Sequence, residues 1–269
     1  MPSRAFRPLP IALTIAGSDS GGGAGIQADL KTFAALRVHG VTAITCLTAQ
    51  NPRRVLAIQP AKPAMIRAQL QAISDELPPA AIKTGMLYSG AIVQTVVDWF
   101  RAGPRLPLVV DPVIAATSGA GLAQSSFVRV LTSKLLPLAT LVTPNLDEAA
   151  VLAGQSPLIS VEEMRSAARR IHTRFGCAVL VKGGHLRRLR QAIDIFWDGQ
   201  SELLLEAPRV PGVHTHGTGC TYSAAIAAHL ALGYSLPRSV TGAKVFMTQA
   251  IAQSNRIASH QSLNPLWQR

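Results

Sequence analysis

The sequence predicts a single-domain α/β protein, a three-layer sandwich whose central sheet is mostly parallel and carries an antiparallel hairpin at one edge. Apolar runs rich in β-branched residues recur along the chain, and most of the stretches between them show the helical spacing of apolar residues. Alternating strands and helices form right-handed βαβ units, which place the strands parallel with helices on both faces of the sheet. Nearly continuous apolar strands are typical of a sheet that is buried on both sides.

Six short apolar runs predict the parallel strands, and no repeat, low-complexity tract or linker interrupts the series. We therefore expect one domain over residues 1–269, with residues 1–9 as a short N-terminal tail. Ligands of such sheets bind outside the carboxyl ends of the strands, so the residues that end these runs are the candidate site residues. The predicted strands are 11–16, 41–48, 81–83, 108–111, 140–143 and 178–182.

Helices and one hairpin complete the predicted fold. Ser160 and Glu163 have the spacing of a capping box, which predicts a helix that begins there and runs through residue 175. The segment 192–209 has two β-rich runs around Asp198-Gly199, the pattern of a β-hairpin at a sheet edge. The other predicted helices are marked by Ile26, Leu30 and Phe33, by Ile66, Leu70 and Ile73, by Ile92, Val96 and Trp99, and by the ranges 219–232 and 236–259.

The composition indicates a folded, soluble chain that acts on small molecules. Hydrophobic residues make up 48% and charged residues 15% of the 269 residues, outside the regime of disordered chains. No apolar run approaches the roughly 18 residues of a membrane-spanning helix. The 26 Lys and Arg outnumber the 14 Asp and Glu, for a net charge of +12. Aromatic residues are only 5% and do not interleave with the basic ones, so we expect anionic small molecules rather than nucleic acid as partners.

The N-terminus and the cysteines bear on cellular location. Arg4 and Arg7 precede an apolar stretch at 11–17 and briefly imitate a secretory signal, but prolines interrupt the approach and a glycine-rich motif follows at once. The three cysteines are widely separated, which predicts neither a disulfide framework nor a zinc site. We therefore expect a cytoplasmic protein without a membrane partner.

A glycine-rich stretch, 16–25, follows the first predicted strand and leads into a helix that carries Asp29. Its glycines permit a sharp bend and a close approach of the backbone to a ligand. Neither the dinucleotide-binding pattern nor the phosphate-loop pattern fits this stretch. A tight strand-to-helix turn explains the same residues equally well, so both interpretations stay open.

The segment His216-Gly-Thr-Gly-Cys-Thr-Tyr-Ser223 carries the sharpest chemical pattern. Gly217, Thr218 and Gly219 present consecutive backbone N–H groups at the start of an apolar helix, which suits a phosphoryl group in transfer. Cys220 falls in the first turn, where the helix dipole favours the thiolate, and a thiolate could take the proton of an attacking hydroxyl group. The alternative is a buried structural cysteine beside a glycine turn.

Polar residues end the middle strands. Asp111 ends one predicted strand, and Asn145 and Glu148 follow the next on one face of a helix. An amide and a carboxylate placed there could hold Mg²⁺, through its water molecules, against nucleotide phosphates. Lys182 ends a further strand, from which its ammonium group could reach a phosphate. A helix cap with a first-turn acid explains Asn145 and Glu148 as well.

In this order the motifs resemble those of the hydroxymethylpyrimidine/phosphomethylpyrimidine kinases of thiamine biosynthesis, within the ribokinase-like superfamily. The resemblance spans about residues 11–259. It implies a ribokinase-like fold and an ATP-dependent kinase that phosphorylates 4-amino-5-hydroxymethyl-2-methylpyrimidine and then its monophosphate. ATP and Mg²⁺ are implied at the site, and we expect a homodimer. The matching segments are AGSDSGGGAGIQADLKTF, LTAQN, KTGML, DPV, TPNLDEA, VKGGH and HGTGCTYSAAIAA.

The resemblance also implies a role for each candidate residue. Gly217, Thr218 and Gly219 would form the anion hole, with Cys220 as the catalytic base. Glu148 would hold Mg²⁺ through water. The substrate-binding residues would be Gln50, Asp29, Gly17, Met86 and Val113, and the ATP-binding residues would be Lys182, Asn145 and Asp111.

Four segments depart from the family pattern. Thr84 in KTGML and Asp147 in TPNLDEA replace the usual residues, and 118–121 lacks an acidic residue often found there. The run 51–54, Asn-Pro-Arg-Arg, differs from the usual continuation after Gln50 and could change how the flap near the pyrimidine moves.

Two rival functions stay open. A pyridoxal or pyridoxine kinase of the same subfamily would bind a similar ring with a hydroxymethyl group, although the Gln50 amide favours an aminopyrimidine edge. A non-catalytic ligand-binding protein could also keep the kinase fold, because a fold does not guarantee activity. The presence of Gly219, Cys220, Asn145 and Glu148 argues against that rival.

Overall fold

The structure, a computed structural model, describes residues 8–114, 121–184, 186, 191–210 and 216–267. Strands in these ranges are β1 (Ile11–Asp19), β2 (His39–Asn51), β3 (Arg54–Pro60), β4 (Ala81–Thr84), β5 (Leu108–Val110), β6 (Leu141–Val142), β7 (Ala178–Lys182), β8 (Gln191–Trp197), β9 (Glu202–Pro208), β10 (Asn255–Ile257) and β11 (His260–Ser262). Helices are α1 (Gly25–Ala35), α2 (Pro63–Glu76), α3 (Gly90–Ala102), α4 (Gly121–Val130), α5 (Leu146–Ala153), α6 (Val161–Phe175), α7 (Thr218–Ala231) and α8 (Leu236–Ala252). A π-helical turn, Leu131–Leu135, and a 3₁₀ turn, Leu136–Leu138, follow α4.

The sheet places its strands in the order β3-β2-β1-β4-β5-β6-β7-β8-β9. Strands β2, β1 and β4 to β7 are parallel, whereas β3 at one edge and the β8–β9 hairpin at the other are antiparallel. The predicted mostly parallel sheet with an edge hairpin is therefore confirmed. The chain runs outward from β1 to β3 and returns to the other side of β1 as β4, so the strand order reverses between β1 and β4. Ligands of open α/β sheets bind at such a reversal.

Helices cover both faces of the sheet and bury two separate apolar cores. Helices α1, α7 and α8 pack on one face, and α2 to α6 pack on the other. Successive residues of a strand point to opposite faces, so Leu13 and Ile15 of β1 join the core under α2 and α3 while Ala12 joins the core under α1 and α7. None of the described helices has the length and apolar character needed to cross a membrane.

Local sequence signals account for several boundaries. The predicted capping box opens α6, because the Ser160 hydroxyl accepts a bond from the Glu163 N–H group at 3.2 Å and the Glu163 carboxylate accepts one from the Ser160 N–H group at 2.9 Å. The helix ends at Gly176, whose φ of 76° is left-handed. The predicted hairpin at 192–209 is β8 and β9.

Two predictions from the sequence need correction. The last helix ends at Ala252 rather than near residue 259, because the chain turns into the short β10–β11 hairpin and the Asn264 N–H group bonds back to the Ala250 carbonyl at 3.0 Å. Strand β3, which pairs with β2 after Gln50, was not among the predicted strands. Of the loop 118–121, residues 118–120 lie outside the described ranges, as does His185.

Candidate active site

A cavity of about 390 Å³ lies at the carboxyl end of the sheet, at the reversal between β1 and β4. Five strand ends and the starts of α1, α5 and α7 contribute to its wall, so residues far apart in sequence meet there. Its lining residues are Ala16, Gly17, Ser18, Asp19, Ala24, Gly25, Thr48, Gln50, Lys83, Gly85, Met86, Asp111, Val113, Asn145, Glu148, Lys182, His216, Gly217, Gly219 and Cys220.

The start of α7 forms one wall of the cavity. Gly217 is the N-cap residue, with a left-handed φ of 84°, and Thr218 begins the helix. Gly219 and Cys220 line the cavity, whereas Thr218 is not among its lining residues. The free N–H groups of a first helical turn and the helix dipole together favour an anion at this position. Two of the three residues predicted to form the anion hole, Gly217 and Gly219, thus lie at the cavity wall.

Asp19 organises the glycine-rich turn between β1 and α1. One of its carboxylate oxygens accepts a bond from the Gly21 N–H group at 2.8 Å, and the other accepts bonds from the N–H groups of Gly23 at 3.1 Å and Ala24 at 2.8 Å. The stretch is thus a tight strand-to-helix turn, and it also forms a wall of the cavity. Both interpretations of the glycine-rich sequence hold together.

Four of the five residues predicted to bind the substrate line the cavity. They are Gly17, Gln50, Met86 and Val113. Val113 has a left-handed φ of 41°, which is strained for a β-branched residue. Gln50 Nε2 lies 3.4 Å from His216 Nε2. The Gln50 amide therefore lies beside the residue that precedes the N-cap of α7.

Asp29 is the exception among the predicted substrate-binding residues. It is 0% exposed and does not line the cavity. Its carboxylate accepts bonds from Lys83 Nζ at 2.9 and 2.8 Å and from Thr14 Oγ1 at 2.6 Å. The structure therefore corrects the expected direct contact with the substrate, because Asp29 lies beneath the cavity and balances the charge of Lys83.

Lys182 and Asp111 face the start of α7. Lys182 Nζ donates to Asp111 Oδ1 at 3.0 Å, and a side chain added at Gly219 would lie 3.2 Å from Lys182 Nζ. Burial alone would lower the pKa of Lys182, but the carboxylates of Asp111 and Glu148 outweigh it and raise the pKa. Lys182 thus presents a permanent positive charge beside the N–H groups of α7.

A second lysine–aspartate pair holds the strand end that carries Lys182. Lys244 of α8 donates to Asp194 of β8 at 2.7 Å, and the other oxygen of Asp194 accepts a bond from the Gly183 N–H group at 2.9 Å. The backbone that follows Lys182 is therefore fixed from behind, away from the cavity.

Asn145 and Glu148 form a capping box at the start of α5. The Glu148 N–H group donates to Asn145 Oδ1 at 2.9 Å, and the Asn145 N–H group donates to Glu148 Oε2 at 2.9 Å. Glu148 Oε1 also accepts a bond from the Ile114 N–H group at 3.2 Å. Burial raises the pKa of Glu148, with Lys182 opposing this and Asp111 adding to it. The cap that the sequence left as an alternative is present, and both residues still line the cavity.

The donor set fits a metal that keeps most of its water molecules. Across the described residues, no group of three or more His, Cys, Asp or Glu side chains could hold a metal ion directly. Glu148 and Asn145 offer oxygen atoms at the cavity wall, and Mg²⁺ usually binds through one or two such groups together with water and substrate phosphates. The predicted magnesium role of Glu148, through water, is compatible with this chemistry.

The structure bears on the protonation state expected for Cys220. Burial raises the pKa of Cys220 to about 11; the Lys83 ammonium opposes this shift, and the carboxylates of Asp29 and Asp111 add to it. Burial therefore opposes the thiolate form that the position at the start of α7 was expected to favour.

Three ionisable residues of the cavity lining carried no predicted role: Lys83, Asp19 and His216. A lysine inside the apolar run 81–84 was the available signal for Lys83, since a charge in a buried strand needs a partner. Asp19 stands two residues before the run of glycines and His216 directly before the anion-hole glycines, so position alone could have indicated both.

Comparison with known proteins identifies the family of the chain. Residues 19–266 match the family described as phosphomethylpyrimidine kinase, a span that contains almost all of the cavity-lining residues. The chain belongs to the phosphomethylpyrimidine kinase family. This confirms the resemblance drawn from the motifs.

Individual relatives of this family agree along nearly the full chain. A hydroxymethylpyrimidine/phosphomethylpyrimidine kinase from Synechococcus elongatus is 46% identical over 253 residues, 94% of this chain and 95% of the relative. A thiamine biosynthesis bifunctional protein from Geobacter sulfurreducens is 45% identical over 248 residues, 92% of this chain and 50% of the relative. The solved ADP complex of Bacillus subtilis pyridoxal kinase has a TM-score of 0.88 and 38% identity, covering 96% of this chain and 97% of that one. The ribokinase-like fold is thereby confirmed.

The anion hole predicts a contrast between two glycines with the same backbone angle. Gly217 and Gly233 both have a φ of 84°, but a side chain at Gly217 would lie 1.8 Å from the Gly23 carbonyl oxygen, whereas Gly233 has nothing within 4 Å. Gly217→Ala should therefore displace the start of α7 and lower kcat by about 100-fold, the magnitude of losing one oxyanion-hole donor.

The matched control is Gly233→Ala, which meets the same backbone strain at the far end of α7. It should lower the free energy of unfolding by about 1 kcal/mol and leave kcat unchanged. Steady-state kinetics and chemical denaturation of both variants check this. Equal kcat values in the two variants would contradict the assignment of the anion hole.

Proposed function

We propose that this chain is an ATP-dependent kinase of thiamine biosynthesis, which phosphorylates 4-amino-5-hydroxymethyl-2-methylpyrimidine and then its monophosphate. The observation that carries the proposal is a single cavity lined by the start of α7, by Cys220, by Lys182 and by Gln50. The names of the relatives from Synechococcus elongatus and Geobacter sulfurreducens support the substrate and the pathway.

The chemistry is a transfer of the γ-phosphoryl group of ATP to the hydroxymethyl oxygen. The bond between the γ-phosphorus and its bridging oxygen breaks, a new bond forms between that phosphorus and the substrate oxygen, and ADP leaves. The hydroxyl proton passes to the Cys220 sulfur, which must be a thiolate to accept it. The N–H groups of Gly217 to Gly219 stabilise the charge on the phosphoryl oxygens, as donors fixed before the reaction begins.

The phosphate end of the cavity is held by charges on three strand ends. Lys182 would exchange its bond with Asp111 for one with a nucleotide phosphate, since both lie beside Gly219. Asn145 and Glu148 would hold Mg²⁺ through its water molecules. When bound, this ion neutralises phosphate charge and keeps the transferring group in place.

The ring end decides between pyrimidine and pyridoxal substrates. The Gln50 amide has a donor and an acceptor, which can pair with the amino group and ring nitrogen of an aminopyrimidine. The likeness to a solved pyridoxal kinase, with a TM-score of 0.88, makes pyridoxal phosphorylation the second candidate function. A non-catalytic binding protein would show ligand binding without ADP formation.

The proposal predicts a clear preference in a side-by-side turnover assay. With ATP and Mg²⁺, the purified protein should form ADP and both phosphorylated pyrimidines, with a higher kcat/KM for the hydroxymethylpyrimidine than for pyridoxal. Gln50→Ala should raise the pyrimidine KM and leave the ATP KM nearly unchanged, because Gln50 lies at the ring end. Equal use of both rings by the wild-type protein would favour the second candidate, and binding without ADP would favour the third.

The base assignment predicts that Cys220→Ala loses about 10²- to 10⁴-fold in kcat while both KM values stay close to wild type. Cys220→Asp should recover part of the rate, since a carboxylate in the first turn can accept the same proton. Cys177→Ala is the matched control, because Cys177 is 2% exposed in the core and away from the cavity. A full kcat in Cys220→Ala would leave this cysteine as a small turn residue.

We also propose that the protein is a cytoplasmic homodimer. Edge strand β3 and its neighbourhood expose Leu47, Val55, Leu56 and Met65, each at least 50% accessible, which is apolar surface that a second copy could cover. Sedimentation of the wild-type protein should give the mass of two chains, and Leu56→Glu with Val55→Lys should shift it toward one. A wild-type mass of one chain would refute the dimer.

A further inference from the structure

Lys83 and Asp29 form an ion pair that is closed to solvent beneath the cavity. Both side chains are 0% exposed, and both Asp29 oxygens accept bonds from Lys83 Nζ, at 2.9 and 2.8 Å. Thr14 stands opposite Lys83 in the β1–β4 register and donates to Asp29 at 2.6 Å, so neighbouring strands and α1 fix the ammonium group together. A buried pair of this kind is weak evidence for stability, since apolar residues of similar volume often serve as well.

The Lys83 ammonium reaches the site that the chemistry uses. Lys83 contributes to the cavity floor together with Gly85 and Cys220. A side chain added at Gly85 would lie 2.9 Å from Lys83 Nζ, so the glycine leaves room for the ammonium group. Helix α7 packs directly on β4, the strand that carries Lys83.

Several charged groups face the Cys220 sulfur, and Lys83 is the most influential positive one. Lys83 of β4 favours the thiolate, whereas Asp29 of α1 and Asp111 after β5 disfavour it; the Gly25 N–H group donates a bond that also favours it. Lys182 of β7 interacts with the same sulfur more weakly, after its own stronger interactions with Asp111 and Glu148. Burial favours the thiol form of Cys220, and the Lys83 ammonium is the largest of the influences that oppose this effect of burial.

We propose that Lys83 is a positioning residue whose buried ammonium group stabilises the thiolate form of Cys220. Asp29 and Thr14 keep that ammonium charged and in place. The inference rests on the proposed function, in which Cys220 accepts the hydroxyl proton. It extends that function by naming the group that lowers the cost of forming the thiolate.

Alkylation of Cys220 by iodoacetamide measures the thiolate directly, without substrate or turnover. The sulfur forms a bond to carbon and iodide leaves, so below the pKa the rate follows the thiolate fraction. Digestion and mass spectrometry separate Cys220 from Cys46 and Cys177, which are buried at 0% and 2% exposure. In the wild-type protein the rate should rise about tenfold per pH unit toward pH about 11.

Four proteins form the test at about pH 9. Lys83→Met should lower the Cys220 alkylation rate by about 100-fold, because the ammonium is lost while the Asp29 carboxylate remains. The double variant Asp29→Asn with Lys83→Met, which contains no unpaired charge, should lower it by about tenfold, since Lys83 influences the sulfur more than Asp29 does. Asp29→Asn alone should react at least as fast as wild type. Local unfolding would speed alkylation in every variant and cannot produce this order.

Lys182→Met is the matched control, a second cavity lysine paired with an aspartate. It should change the alkylation rate much less than Lys83→Met. Should Lys83→Met fail to fold, the double variant decides. A double variant that alkylates as fast as wild type overturns the inference. If Cys220→Ala keeps full kcat but the alkylation order holds, the base role fails and the role of Lys83 toward the sulfur stands.

Discussion

Helix α7 lies close against β1, β4 and β5 because the residues on both surfaces are small. Its buried face carries Ala224, Ala225, Ala227 and Ala228, and the strand beneath it presents Ala12 to the same core. Close packing of small residues leaves α7 little freedom to shift along its axis. Its first turn is therefore held over the carboxyl edge of the sheet, at the strand reversal where phosphates and ring must meet. The anion hole, the sulfur and the lysines are arranged around that fixed helix start.

Two lysine–aspartate pairs flank the start of α7. They differ in solvent exposure, and this difference suits them to different roles. The Lys182–Asp111 pair lies at the cavity wall, with the lysine side chain 14% exposed, so an incoming phosphate can take the place of the carboxylate. The Lys83–Asp29 pair is not exposed to solvent, and both Asp29 oxygens accept bonds from the lysine. The first pair is suited to a charge that arrives and leaves. The second is suited to a field that stays constant through the reaction.

Structural features that follow from local backbone geometry could be predicted from the sequence. Features that depend on how the chain packs, such as the exposure of an edge strand or the burial of an ionisable group, could not. Strand β7 and the capping box of α6 follow from apolar runs and short-range hydrogen bonding, and both were predicted with their boundaries. Strand β3 was not predicted although it contains the apolar run 55–58, because it is an exposed edge strand without the alternation of buried and exposed residues that marks a half-buried strand. The raised pKa of Cys220 could not be foreseen either. Helix position favours a thiolate, whereas the burial that raises the pKa follows only from the packed structure.

The meeting of the glycine-rich turn with the start of α7 has a consequence for how the protein folds. Gln50 and His216, which adjoin at the cavity, are 166 positions apart in sequence, and the closest backbone approach, between Gly23 and Gly217, spans even more of the chain. Contacts between such distant segments form late and slow the folding of a domain. During synthesis the carboxyl ends of the first strands stay exposed until α7 has left the ribosome and can pack over them. The cavity therefore forms only after α7 has been synthesised, so an incomplete chain has no complete site for a nucleotide.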